Sequence, residues 1–504
     1  MPTPTASIHE TKANGAADTG APALASGSAS GLEKQSSNKK LLLLALFCLA
    51  FLLDAINSSS LFTSIPTISA QLGITDSRSV WLLAAYQLAF AALLLISGRF
   101  SDLYSPKWVF VCGIAMMGVF SLVGGFLRSQ IPVITLRALM GGAGALTIPS
   151  AQHLIVHMYT TSDAQAKAIA VFGGMGAIGI VLGLFVGALL VTFTSWPWIF
   201  YVPAILCGII SICSAILIPR VSHNTDGSRW SQFRRLDLVG VFLFSVGTIL
   251  LVFAVTSGSI DGWNSARVLV PLVLSIILVI SFFLWESRLQ DSHAAVPAKI
   301  WTYPNFKVLI PLALVPFAWW STIFLLFSWL WEVVYAWSPI TTAAHFLPIA
   351  LGVFPGLAIS IALQSQRKIS HKWVIVMGFV LALIGSILLP FGNTSHHYWP
   401  FLFPGFLLGT LGCAIIYTTI NVDLLANAPV EASGIISALF VCMLQVGGAV
   451  GSAIVTSIQT SVQQSNGGPL RFAGRAAGLW FLCAWVGVMG LSAIMLLKKD
   501  QNKD

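Results

Sequence analysis

Long apolar runs alternate with short polar connectors from residue 41 to residue 497. A chain crossing lipid must satisfy its own backbone N–H and C=O groups, which leaves helices or a closed barrel. A helix needs about 20 mostly apolar residues to span a bilayer. Fourteen runs meet that length, at 41–64, 79–98, 108–127, 131–156, 168–193, 196–218, 237–257, 268–285, 308–331, 340–363, 373–391, 398–422, 432–459 and 476–497. The fifth and sixth are divided only by the turn-forming stretch Thr194-Ser195-Trp196-Pro197. Only 9% of the residues are charged, against about 25% in a soluble domain. The sequence predicts an all-α, multi-pass integral membrane protein with the lipid bilayer as its solvent.

The net charge of +9 does not point to nucleic acid, because the Lys and Arg residues sit in connectors between apolar runs and not on one face. Basic residues favour cytoplasmic connectors. With the amino terminus inside, the outer connectors hold Arg78, Arg128, Arg267, Arg471 and Arg475, and Arg137 lies within a run. The other basic residues, among them Arg220, Arg234, Arg235, Arg367, Lys368, Lys372, Lys498 and Lys499, fall inside. Both termini are thus expected in the cytoplasm, with residues 1–40 a disordered tail and 498–504 a short one. The plasma membrane is the expected location, and a vacuolar or other internal membrane the alternative. All seven cysteines lie in apolar runs and read as small buried hydrophobes, with neither a disulfide framework nor a metal site implied. Asn393-Thr394-Ser395 places a glycosylation candidate, Asn393, in an outer connector.

A shift of 268 residues lays Gly141 on Gly409, Gly144 on Gly412, Gly179 on Gly447 and Gly183 on Gly451. This pairs the fourth and fifth runs with the twelfth and thirteenth. It implies two similar six-helix bundles, 41–218 and 308–497, with 219–307 a linker carrying an inserted pair of spans. Parallel repeats of this kind are a transporter architecture with the substrate site between the halves.

Several motifs carry a family resemblance. Residues 98–108, GRFSDLYSPKW, resemble the loop signature of the major facilitator superfamily, and 136–146, LRALMGGAGAL, its arginine and glycine patch in the fourth helix. GIVLGLFVG at 179–187 resembles the antiporter motif, and SWPWIFY at 195–201 the tryptophan signature opening the sixth helix. With fourteen spans, LLDAINSSSLFTSIPTI at 52–68 and WLLAAYQL at 81–88, the chain is similar to the fourteen-spanner drug:proton antiporters. Among them it looks most like fungal aminotriazole and boron resistance transporters and metabolite efflux pumps. The chain departs from the pattern at Ser105, Pro106, Leu184 and Ala188. The resemblance implies that Gly98, Arg99, Asp102 and Lys107 form a conformational latch, and that the fourth-helix arginine, Arg137, is linked to proton coupling.

Asp54 lies half-way along the first run, where a carboxylate is costly unless it is neutralised, paired or facing a water-filled cavity. A carboxylic acid removed from water holds its proton more readily, as proton coupling requires. Its structural alternative is satisfaction by Ser58, Ser59 and Ser60. Arg137 remains charged and offers five donors, and at 1.5 Å per residue it lies within about 6 Å of Asp54 in depth. The expectation is a direct pair that breaks on protonation of Asp54, with snorkelling to the outer surface as the alternative. Gly179, Gly183 and Gly187 recur on one helical face, which permits close packing; the functional reading is a smooth surface between rocking bundles. Glu332 ends the ninth run beside Trp319, Trp320, Trp329, Trp331 and Trp337, and is a second proton or cation candidate. Most of these tryptophans are expected to be interfacial anchors. Asn57, Gln87, Gln152, Tyr417 and Asn421 are substrate-cavity candidates.

No enzyme constellation is present. GGMGAIG at 173–179 lies inside an apolar run and follows no strand, unlike a dinucleotide loop. No nucleotide-binding loop occurs, so the proton gradient is the expected driving force and no cofactor is expected. The leading expectation is proton-coupled efflux of small organic or toxic compounds, or of a secondary metabolite, by a monomer using alternating access. Proton-coupled uptake of a small polar solute or anion is the alternative.

Overall fold

The computed structural model describes residues 35–103, 105–159, 161–219, 237–289, 296, 298–365, 369–426, 433–465 and 472–498. Residues 1–34 of the expected tail, most of the basic linker, Arg367, Lys368, Arg471 and 499–504 lie outside them. Among the described residues the secondary structure is helical, with no strand.

The first six long helices are α1 (Ser37–Ser59), α2 (Trp81–Leu103), α3 (Pro106–Phe126), α4 (Gln130–Met158), α5 (Ser162–Phe193) and α6 (Trp198–Leu217). An inserted pair follows, α7 (Leu238–Asp261) and α8 (Ala266–Glu286). The rest are α9 (Leu314–Trp329), α10 (Leu347–Ser365), α11 (His371–Leu388), α12 (Phe403–Ala426), α13 (Ser433–Ser465) and α14 (Ala473–Leu496). Thirteen spans among the described residues are long and apolar enough to cross a membrane. The remaining expected span, α2, is also 23 residues long, with its described apolar stretch at Trp81–Leu94. The turn at 194–197 does separate α5 from α6.

Local chemistry explains where helices stop. The expected first run, 41–64, divides after Ser59, where consecutive serines compete for backbone carbonyls. Ser59 Oγ donates to Ala55 O at 2.8 Å and Ser64 Oγ to Ser60 O at 2.8 Å. A short helix, Ile65–Leu72, follows and ends at Gly73, whose φ of 66° only glycine adopts easily. The ninth run is also broken. Helix Phe306–Leu312 stops at Ala313, because Pro316 has no N–H for the Leu312 carbonyl. Beyond Trp329 the backbone widens into a π-helical turn, Leu330–Val334.

The packing repeats. In the first group α1 lies on α5, α2 and α3 lie on α4, and α3 lies on α6. In the second, α9 lies on α13, α10 and α11 lie on α12, and α11 lies on α14. The groups meet along α2 and α13, with α7 touching both. Further contacts tie them at the ends of α1, α5 and α9. The Phe62 and Phe324 rings stand 4.8 Å apart, and the segment Pro339–His345 packs on α5.

Three expectations need correction. The tryptophans of the ninth run are mostly core residues and not anchors: Trp319 and Trp331 have no exposed surface, and Trp329 is buried. Trp331 sits among Phe327, Trp337, Phe346, Tyr398 and Phe406, because this helix is surrounded by protein. Arg475 is buried in the first turns of α14 and not in an outer connector. Cys112 is exposed, unlike the other cysteines.

Candidate functional site

The polar groups of the first bundle converge because α4 carries glycine where its neighbours carry bulk. At Gly141 a side chain would collide with the Tyr86 carbonyl, so α2 and α4 approach backbone to backbone. One turn on, the position a Gly144 side chain would take is only 2.6 Å from Asp54 Oδ1 and 2.9 Å from the Tyr86 hydroxyl. The glycine patch thus makes room for an acid from α1 and a phenol from α2.

Inside that space, Tyr86 donates its hydroxyl hydrogen to Asp54 Oδ1. The Arg137 guanidinium lies over the Tyr86 ring, 4.5 Å from its centroid, where the ring's negative face favours a cation. Arg137 Nε donates to Leu82 O at 3.1 Å, and a long 3.5 Å contact joins Arg137 to Asn57 Oδ1. Arg137 has no exposed surface and Asp54 only 6%. The expected direct Asp54–Arg137 ion pair is absent, because Tyr86 stands between them, bonded to the acid and stacked under the base. One Arg137 amino group and the Asn57 amide nitrogen lack hydrogen-bond partners in this arrangement. The site thus combines spare donors with a buried carboxylate held by one phenol.

Tyr86 was not singled out from the sequence. Its signal was a phenol within an apolar run, since a tyrosine hydroxyl buried in a membrane needs a partner.

The other expected site residues are dispersed. Gln87 is buried and its Nε2 donates to Ser321 Oγ of α9 at 3.1 Å, linking the two groups of helices. Ser321 was not foreseen, because a serine in an apolar helix gives no sign of which neighbour it meets. Gln152 lies on the far part of α4, partly buried. Eight residues beyond Gly144, it stands about 12 Å further along the helix. Tyr417 on α12 packs against Phe440 with ring centroids 5.3 Å apart, and Asn421 is one turn further on, partly buried. Glu332 occupies the π-helical turn, partly buried and beside Thr342, in the second group and away from Asp54. Asn393 is exposed in the connector between α11 and α12, its Oδ1 2.7 Å from His397 Nδ1.

Gly98, Arg99 and Asp102 of the expected latch stand at the end of α2, and the side chains of Arg99 and Asp102 lie outside the described residues. Lys107 is described and buried. Its ammonium donates to Ile218 O at 2.5 Å, tying the start of α3 to the end of α6, where a helix leaves carbonyls without partners.

The glycine stripe of α5 does not face the second bundle. Side chains at Gly179, Gly183 and Gly187 would meet Leu52, Ile56 and Ser60 of the first bundle. The stripe packs α5 onto α1. Gly447 and Gly451 do the same for α13 against Leu314 and Ala318 of α9.

Comparison with known proteins accords with this architecture. The chain is 28% identical to the puromycin resistance protein pur8 of Streptomyces alboniger over 404 residues, covering 80% of this chain and 78% of that protein. It is 26% identical to the major facilitator superfamily multidrug transporter mfsC of Aspergillus fumigatus over 346 residues, covering 68% of this chain and 64% of that one. The crystal structure of the peptide transporter POT in complex with sulfate superposes with a TM-score of 0.65 at 14% identity, covering 93% of this chain and 96% of that chain. The fold is the one shared by such carriers. The family model described as Major Facilitator Superfamily matches residues 47–452, and the chain therefore belongs to that superfamily of membrane transporters.

Proposed function

We propose that the protein exports small organic compounds in exchange for protons, and that Asp54, Tyr86 and Arg137 form its proton-coupling site. The observation carrying this reading is the arrangement of the three groups: a buried carboxylate and a buried guanidinium joined through one phenol. A carboxylate anion accepts the Tyr86 hydrogen and balances the nearby cation. On taking up a proton, Asp54 loses the charge that strengthens this bond, and Tyr86 is freed to move. Arg137 then loses its counter-charge and must find new acceptors, which biases helices α1, α2 and α4 towards another packing. Similarity to a puromycin resistance protein and a multidrug transporter favours efflux of organic compounds over uptake.

The two halves of the carrier are 41–218 and 308–497, rocking about the α2–α13 contact with α7 and α8 beside it. The Phe62–Phe324 contact just after α1 and the Gln87–Ser321 contact between α2 and α9 close the face away from the basic connectors. They must open for release. Both termini lie in the cytoplasm under this reading, the plasma membrane is the site of action, and a single chain suffices.

The test is transport by purified protein in liposomes under an imposed pH gradient, screening apolar toxic compounds and small polar solutes. Substrate moving against the proton flow, and stalling in Asp54→Asn, is the expected result. Movement with the protons would make the protein an importer, and gradient-independent flux would remove Asp54 from the mechanism.

A further inference from the structure

A cavity of about 430 Å³ lies where the inserted pair meets α9 and α13. Phe244 of α7, Phe282 and Phe283 of α8, Leu314 of α9, and Leu439 and Met443 of α13 form its apolar wall. Its volume lies in the range of small-molecule sites. Trp301 closes one side, its ring 5.9 Å from that of Phe283. Phe283 is half exposed, so the mouth opens on the lipid-facing surface.

The rim of this opening is basic. Where α8 ends, the lining residue Ser287 is followed by Arg288. Trp301 belongs to the short helix Ala298–Thr302, which also carries Lys299. Pro311, another lining residue, stands one turn after Lys307 in the helix Phe306–Leu312. Arg288, Lys299 and Lys307 are all exposed. The acids at this end are withdrawn instead. Glu286 is only 3% exposed, and its Oε2 accepts from Val296 N at 3.2 Å. Asp237 is only 6% exposed, and its Oδ1 accepts from Gly240 N and Trp285 Nε1, both at 2.9 Å. Among the described residues of 286–312 no other acid occurs.

We propose that this is a binding site for an anionic phospholipid, with one acyl chain in the cavity and the headgroup phosphate against Arg288, Lys299 and Lys307. Basic residues beside a cavity between spans suit a lipid headgroup, and long basic side chains reach the headgroup layer from a helix end. Charge complementarity selects an anionic lipid over a zwitterionic one. The apolar cavity selects a lipid over a free anion, which gains nothing from Phe283, Leu314 and Met443. Seated there, the lipid fills the seam between the inserted pair and the second half.

The experiment uses the full chain in phosphatidylcholine nanodiscs doped with phosphatidylglycerol or phosphatidylcholine carrying a dibrominated acyl chain, since bromine quenches tryptophan. The Trp301 component is the difference between wild type and Trp301→Phe. Half-maximal quenching is expected at a mole fraction about tenfold lower for the phosphatidylglycerol, a selectivity of about 1.4 kcal/mol. Arg288→Gln with Lys307→Gln alters exposed side chains, leaves the fold intact and is expected to erase the preference. Lys39→Gln with Lys40→Gln removes the same charge from the start of α1 and is expected to keep it. Met443→Phe, which fills the cavity without touching the basic residues, is expected to weaken quenching by the phosphatidylglycerol. Raising salt from 0.1 to 1 M shortens the screening length from about 10 to 3 Å and is expected to shrink the preference. Equal quenching by the two lipids would overturn the proposal. So would an equal loss in the Lys39 and Lys40 variant, which would reduce the effect to overall surface charge, or unchanged quenching in Met443→Phe. Loss of the preference to inorganic phosphate, at an ionic strength where sodium chloride preserves it, would make the rim a soluble-anion site and also overturn it.

Discussion

Replacing Tyr86 with Phe is the most informative perturbation of the proposed proton site. The substitution removes the hydrogen bond to Asp54 Oδ1 and leaves the ring on which Arg137 rests at 4.5 Å. A hydrogen bond to a charged group is worth about 1.5–3 kcal/mol, and about 1.4 kcal/mol corresponds to one pH unit of proton affinity. The donor stabilises the charged acid more than the neutral one, whose carbonyl oxygen accepts a weaker bond. Without it the anion loses the larger share of that stabilisation, and the half-maximal point of proton-driven transport is expected to move upward by about 1 pH unit. The assay is substrate flux in liposomes at matched internal and external pH, stepped from acid to alkaline and then repeated with a gradient. Tyr86→Leu, which also removes the ring, is expected to lower transport at every pH, because Arg137 loses its cation–π contact. An unshifted or acid-shifted profile in a folded Tyr86→Phe protein, with Asp54→Asn inactive, would refute the coupling scheme.

Three further outcomes are expected. Gly144→Ala brings a methyl group to 2.6 Å from Asp54 Oδ1; it is expected to lower the melting temperature in detergent, at an overpacking cost of about 1–3 kcal/mol, and to abolish coupling. Phe62→Cys with Phe324→Cys, replacing rings 4.8 Å apart, joined by a reducible bifunctional thiol reagent, is expected to stop transport until reductant is added; continued flux in the cross-linked protein would exclude rocking at this contact. Lys107→Met removes the tie to Ile218 O and is expected to destabilise the α3–α6 junction by about 1–3 kcal/mol, as loss of a charged donor does, read as a lower melting temperature with binding intact in the cold.

Much of the fold was legible because hydropathy along a chain is a local property. Apolar length predicted the spans, and Thr194-Ser195-Trp196-Pro197 predicted the turn between α5 and α6. Even so, the expected first run conceals a break at Ser59–Ser64, where side-chain hydroxyls capture backbone carbonyls. The glycine spacings imply close packing but do not name its partner. A stripe at 179, 183 and 187 suits a neighbour in either bundle, and only the assembled fold places it on α1.

The sequence by itself determined that this chain lives in a bilayer, that its spans form a repeated carrier fold, and that Asp54 and Arg137 are charges needing a partner or water. Tertiary structure decided what answers them. It placed Tyr86 between the two, joined Gln87 to Ser321 across the halves, left Glu332 apart in the second half, and enclosed Trp319 and Trp331 in protein. The physical reason is that lipid and protein interior are equally apolar, so hydrophobicity cannot tell a helix which face meets a neighbour. That choice falls to packing and to the few polar atoms that must find each other away from water.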